Sequence, residues 1–131
     1  AHGVRRQREV IDRQAIVDSL WAGRTKVPAG LQWEFYGDMF HADWKVPDYD
    51  PKIARDLLRQ AGYKGDPITY RVLNNYYTNQ NPTSQILTEM WRSVGLNVQM
   101  QTVENWSQIM ERGPARAVRD WSNSAPFNDP V

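Results

Sequence analysis

At 131 residues, with 16 Lys and Arg against 15 Asp and Glu, the chain is long enough for one packed domain and carries a formal charge of only +1. So even a balance gives no global field toward nucleic acid or an anionic membrane, and the lack of cysteine excludes a disulfide framework, a thiolate metal site and a cysteine nucleophile. Two histidines are too few for most metal centres, and no apolar run is long enough to span a bilayer. Six Trp and six Tyr exceed what a core of this size needs, so some of these rings are expected to line a cleft or a partner surface.

Residues 1–9 are poor in apolar side chains and read as a frayed end. A helix is expected over about 10–21, with Ile16, Val17 and Leu20 on its inner face. Residues 22–49 hold Gly23, Pro28, Gly30, Gly37 and Pro47 and show no period. A connection this long is expected to form an extended arm pinned by Trp33, Phe35, Tyr36, Phe40 and Trp44. Asp50-Pro51 then starts a helix over 51–61: the carboxylate can accept the first free N–H groups, and proline has none to leave unpaired. Ala54, Leu57, Leu58 and Ala61 share one face, and Gly62 supplies the left-handed stop.

Ile68, Tyr70 and Val72 alternate within a strand at 68–73, followed by a polar-aromatic loop at 74–80. Asn81-Pro82 opens a helix that buries Ile86, Leu87, Met90, Trp91 and Val94 and stops at Gly95. Leu96, Val98 and Met100 alternate with Asn97, Gln99 and Gln101 in a second strand, so strand, helix and strand make a right-handed crossover with parallel strands. Asn105 caps a short helix carrying Trp106, Ile109 and Met110, which ends at Gly113-Pro114; a third strand is expected at 118–121. Core packing is the expected role of both Trp91 and Trp106. The predicted fold is α/β, one domain of helices packed on a small mixed sheet with a β-α-β crossover.

Ligands in open α/β sheets gather outside the carboxyl ends of parallel strands, where strand order reverses. The loop at 74–80 and the segment Trp121-Ser122-Asn123-Ser124-Ala125-Pro126 sit at such ends and offer amides, hydroxyls and rings. On the residues alone, an ordinary Asn-rich surface turn is the simpler account of both. Asp38, His41 and Asp43 lie close in sequence, but a single histidine without a supporting partner makes them polar loop residues rather than a metal site. Arg5, Arg6, Arg8 and Arg13, and Arg112, Arg116 and Arg119, are interleaved with Glu9, Asp12, Glu111 and Asp120, which describes a solvated surface rather than a nucleic-acid interface. No serine has a plausible histidine partner and no Gly-rich phosphate loop occurs, so a hydrolase has little support and the chain reads as a non-enzyme.

The wording of several stretches goes beyond this physics. Tyr49-Asp50-Pro51, Ala54, Leu57-Leu58 and Ala61-Gly62-Tyr63 closely resemble the "YDPxxAxxLLxxAGY" signature of extracytoplasmic solute-binding proteins of ABC importers, in the large peptide- and nickel-binding family 5. Ile11-Asp12-Arg13-Gln14-Ala15-Ile16-Val17 is similar to that family's "AIDRxxIV" segment. Met90, Trp91, Val94, Gly95 and Leu96 resemble its "IQxxLxxxGIxV" step, and Trp121 with Asp129-Pro130 its "W…D…DP" strand and loop. Order and spacing agree over most of 10–130.

The resemblance implies a periplasmic-binding-protein-like lobe, excised from a longer two-lobed protein, with residues 22–49 laid across it as an arm. It implies the solute-binding component of an ABC importer, which closes two lobes on a peptide or other small polar solute and presents it to membrane permease subunits. The expected place is the periplasm or cell envelope, with membrane association only through the permease and no cofactor, metal or nucleic acid. The alternative is a ligand-sensing or protein-interaction module built on the same lobe. Because relatives contact solute from the strand end at 121–124, the expected ligand-binding residues are Trp121, Asn123 and Ser124, with Asn75 and Tyr76.

Two departures bear on the solute. Peptide-binding relatives place an acid three positions after this Trp, where Ser124 stands here, and dipeptide-binding relatives draw an Arg from the loop after the first strand. No Arg or Lys lies between Val72 and Trp91. A buried charge without its partner costs several kcal/mol. A simple zwitterionic dipeptide is therefore a poor fit; a neutral, hydroxyl-rich or modified solute, or a longer peptide held by its backbone, suits the site better.

Overall fold

The computed structural model describes residues 10–30, 32–46, 48–114 and 117–120. Helix α1 (Arg13–Trp21) begins where Asp12 accepts the Ala15 N–H at 2.9 Å, three residues later than the expected start. Val10 nonetheless packs into the core just ahead of it. In α2 (Pro51–Gln60) the expected cap forms: one Asp50 carboxylate oxygen accepts the N–H groups of both Lys52 and Ile53 at 3.0 Å. Gly62, at φ 64°, lets the Tyr63 N–H turn back onto the Leu58 carbonyl. Ala54 is fully buried on the inner face, whereas Ala61 is exposed because the chain is already leaving the helix there.

Strand β1 (Ile68–Leu73) pairs with β2 (Val98–Val103) in parallel, in register from Ile68 opposite Val98 to Leu73 opposite Val103. Helix α3 (Gln80–Ser93) makes the crossover between them. The second strand starts two residues later than its alternation suggested. Leu96 instead donates its N–H to the Trp91 carbonyl and closes the helix end, where Gly95 stands at φ 100°. Tyr63 fastens this corner by donating to the Asp66 carbonyl and accepting the Asn97 N–H at 3.0 Å. The short helix α4 (Trp106–Met110) leads to β3 (Ala117–Arg119), which pairs with the other edge of β1, also in parallel. The strand order is β2-β1-β3. The α/β class and the crossover are as expected, but the sheet is parallel throughout the described residues rather than mixed.

That order sets the layers. The path from β1 to β2 runs one way across the sheet and the path from β2 to β3 runs back, so right-handed crossovers place α3 and α4 on opposite faces. Side chains agree. Tyr70 and Val72 meet Trp91, Val94, Leu96 and Val98 in the main core, with the Tyr70 and Trp91 rings edge to face at 5.1 Å. Leu73 and Val103 turn the other way and meet Ile109 and Trp106 in a smaller cluster. Central strand β1 is thus covered on both faces, as parallel strands require.

Arg71, 6% exposed, lies on the α4 face. It donates to the Glu111 carbonyl (2.8 Å) and to Gln101 Oε1 (3.3 Å). Its neighbour Arg119 donates to the carbonyls of Ile109 (2.7 Å) and Glu111 (3.0 Å). Two guanidinium groups from adjacent strands therefore satisfy the carbonyls at and just beyond the α4 C-terminus, which have no partners within the helix.

The aromatic rings pin the arm only in part: Tyr36 and Phe40 are half-buried, whereas Trp33, Phe35 and Trp44 remain 48%, 63% and 51% exposed. A buried amide adds the rest. Gln32 donates to the His41 carbonyl (2.9 Å) and accepts the His41 N–H (2.8 Å), which closes a loop around the 3-10 segment Glu34–Met39. His41 stacks on Trp44 at 4.9 Å, and a Cβ on Gly30 would stand only 3.2 Å from the Trp44 ring.

Candidate functional site

Because α3 and α4 leave on opposite faces, the loops following β1 and β2 diverge at the carboxyl edge of the sheet and open a crevice between them. From one side comes the loop at 74–79. On the other lies the start of α4, held by a reciprocal cap in which Asn105 accepts the Gln108 N–H (3.1 Å) and Gln108 accepts the Asn105 N–H (3.3 Å). Tyr76, 44% exposed, meets Trp106 across this crevice, ring centroids 4.9 Å apart and planes at 84°. Sequence reasoning assigned Trp106 to core packing. It does touch the smaller cluster, but the ring also forms one wall of the site.

The loop is built to hold Tyr76 in place. Asn74 extends the ladder by donating its N–H to the Val103 carbonyl, and Asn75 and Asn79 take the left-handed conformation at φ 50° and 62°. Asn81 accepts the Asn75 N–H (3.3 Å) and donates to Asn74 Oδ1 (3.0 Å). Asn79 donates to the Leu20 carbonyl at the end of α1. Gln80, 1% exposed, accepts the Tyr76 N–H at 2.6 Å and donates to Asp120 Oδ2 at 3.0 Å. Tyr77 donates its hydroxyl to the same oxygen at 2.8 Å. The two expected ligand residues of this loop, Asn75 and Tyr76, are therefore both exposed on a prearranged loop at the crevice. Trp121, Asn123 and Ser124 lie outside the described residues.

Asp120 was missed as a site residue because an acid was sought only downstream of Trp121; it stands directly upstream, at the end of β3. Its carboxylate shapes the local electrostatics. Burial, the hydrogen bond to Asp120 and its negative charge all hold the Tyr77 hydroxyl protonated well above its ordinary range. Tyr70 is pushed up to about 12, first by burial; its hydrogen bond to Ser84 acts against the shift and Asp120 adds to it. Both phenols are thus neutral donors at any physiological pH. The edge combines a carboxylate, amides, hydroxyls and two rings, which suits orienting a polar ligand and covering it.

Elsewhere, residues 25–44 of the arm line a separate cleft of about 400 Å³ that contains none of the expected ligand residues. His41 Nδ1 lies 4.0 Å from Asp43 Oδ1, and among the described residues no three potential ligands gather to hold a metal.

A parallel α/β unit with polar and aromatic loops gathered at its carboxyl edge has the form of a ligand-binding lobe. The chain's relatives make the class specific. Residues 9–131 match the family described as bacterial extracellular solute-binding proteins, family 5 Middle, and the chain belongs to that family. It is 27% identical over 113 residues to Di/tripeptide-binding protein 1 of Pseudomonas aeruginosa (strain UCBPP-PA14), a match covering 78% of this chain and 19% of that protein. The chain thus spans about a fifth of the length of the curated relatives it matches.

Two solved structures share the fold. The ABC transporter substrate-binding protein CtaP of Listeria monocytogenes aligns with a TM-score of 0.67 at 17% identity, over 79% of this chain and 22% of CtaP. The oligopeptide-binding protein AppA of Bacillus subtilis, solved with a nonapeptide, aligns with a TM-score of 0.61 at 23% identity, over 88% of this chain and 26% of AppA. The periplasmic-binding-protein-type fold follows. These relatives are binding proteins rather than enzymes, and among the described residues no helix is long and apolar enough to cross a membrane.

Proposed function

We propose that this chain forms most of one lobe of an ABC importer's solute-binding protein, acting outside the cytoplasmic membrane. It takes a peptide or other small polar solute between two lobes and hands it to the permease. The observation that carries this reading is the crevice walled by Tyr76 and Trp106 at the carboxyl edge of the sheet, in a chain of this family. Asn75 and Tyr76 supply one flank, and Trp121, Asn123 and Ser124, which follow Asp120 in the sequence, are proposed to contribute as well. Solute bridging both lobes shifts an open–closed hinge equilibrium, and the closed form is what a permease recognises. The test is mass spectrometry of small molecules that co-purify with the full-length protein. Peptides or related polar solutes are the expected result; their absence from protein that binds no added peptide would overturn it. The isolated chain carries only half of the bridge and is expected to bind weakly, so micromolar affinity by calorimetry would contradict the two-lobed reading.

The exposed rings of Trp33, Phe35 and Trp44 favour a second reading, a protein-interaction module docking through the arm. Capture of the permease by the full-length protein that survives loss of these rings but not of Tyr76 and Trp106 would decide for the receptor.

A further inference from the structure

The residue that ties the site together is Gln80. Its carboxamide has one acceptor and one donor end, and both are engaged inside the protein: Oε1 with the backbone of Tyr76, Nε2 with the carboxylate that ends β3. Asp120 in turn donates its backbone N–H to the Arg71 carbonyl of β1 (3.0 Å) and accepts Tyr77 through the same carboxylate oxygen. A closed circuit therefore runs from β1 to β3, through Asp120 and Gln80, and into the loop that presents Tyr76. The loop expected to meet the solute and the described end of the third strand therefore join at this amide, through Asp120.

We infer that Gln80 is a positioning residue: its buried amide locks the Asn75-Tyr76 loop to the β3 end, so that both present one surface to the solute. Its purpose rests on the solute-binding reading, but its geometry does not. A carboxamide is the right group here because it donates to the carboxylate and accepts the amide N–H without adding charge. Leu cannot do either, and Glu can do both only while protonated. Charge at this point would be poorly tolerated. Among the described residues, the ionisable groups bonded or electrostatically coupled here are Asp120 from the end of β3, Tyr77 from the loop and Tyr70 from β1, and none of these three is a cation. Arg71 lies on the opposite face of the sheet, against α4.

The test uses Gln80→Glu in the full-length protein without added solute, read by hydrogen–deuterium exchange of the segment 74–79 against wild type at the same pH. Asp120 beside it holds the new carboxyl protonated at about pH 5, where exchange is expected to match wild type; at about pH 8 it ionises, and exchange is expected to speed up about tenfold or more. Adding Asp120→Asn supplies a neutral donor and is expected to bring exchange back to within about threefold at the higher pH. The strand 68–73 serves as the internal reference. Acceleration of 74–79 beyond that of the strand, reversed by Asp120→Asn, supports positioning. Equal acceleration of both segments, no pH dependence, or no rescue overturns it. Binding of a mixed tripeptide pool, followed by native mass spectrometry, is scored separately: failure of the wild type to bind would count against the solute reading and leave the exchange result standing.

Discussion

The loop at 74–79 and the arm at 22–46 are both irregular, polar and rich in aromatic residues, yet they are fastened in different ways. The loop is attached outward: its bonds reach β2 at Val103, α1 at Leu20, α3 at Gln80 and Asn81, and β3 at Asp120. The arm is attached chiefly to itself, through the Gln32 amide on the His41 backbone and the Lys26–Glu34 ion pair. Composition does not separate the two, whereas the sequence distance of their partners does. A loop held by remote elements inherits the rigidity of the sheet and can present a side chain precisely enough to select a ligand; a self-closed loop keeps its shape but not a fixed bearing.

The sharpest way to break this contrast is truncation on each side of it. Ile109→Ala empties a fully buried position beneath the Trp106 wall and is expected to cost about 3 kcal/mol by urea denaturation, with the Tyr76–Trp106 contact loosened. Phe35→Ala in the arm removes a larger but exposed ring and is expected to change stability by about 0.5 kcal/mol or less. Equal losses would erase the distinction.

Alkaline pH probes the loop together with the strand that carries it. Tyr70 and Tyr77 hold their protons in the folded protein above the ordinary phenol value of 10.0 that governs the unfolded chain. The unfolded state therefore releases protons first, and stability present below that value falls as pH rises through the folded one. The urea midpoint is expected to drop between about pH 10 and pH 12, and Tyr70→Phe to flatten that drop.

Smaller effects belong to the arm. Gln32→Leu strands two backbone groups of His41 that can turn to water, so about 1 kcal/mol is expected, accompanied by faster proteolytic cleavage within 25–44 and unchanged exchange at 74–79. Glu34→Gln removes an exposed ion pair and is expected to shift stability by about 0.5 kcal/mol or less.

What could be seen from sequence follows the same division. The Asp50 cap, strand Ile68–Leu73 and the Asn105 cap were legible because each depends on a few neighbouring residues with one dominant local preference. Asn75 and Tyr76 could be placed at a strand's carboxyl end for the same reason. Gln80, Asp120 and Arg71 could not be assigned their roles. A glutamine at a helix start and an arginine in a strand look like surface residues until the chain brings Asp120 and Glu111, each about 40 positions away, alongside. The exposure of Trp33 and Trp44 was hidden too, since ring content says what can be buried, not whether a neighbouring layer exists to bury it.

Arg71 and Arg119 carry a consequence for the far wall of the crevice. A helix of five residues cannot sustain itself in water, and α4 persists because the sheet grips its trailing end. A synthetic peptide of residues 104–114 should accordingly show no helical circular dichroism. The bearing of Trp106 therefore depends on two strand arginines at the opposite end of its helix, so substitutions at 71 and 119 are expected to reorient this ring while the loop at 74–79 keeps its own bonds.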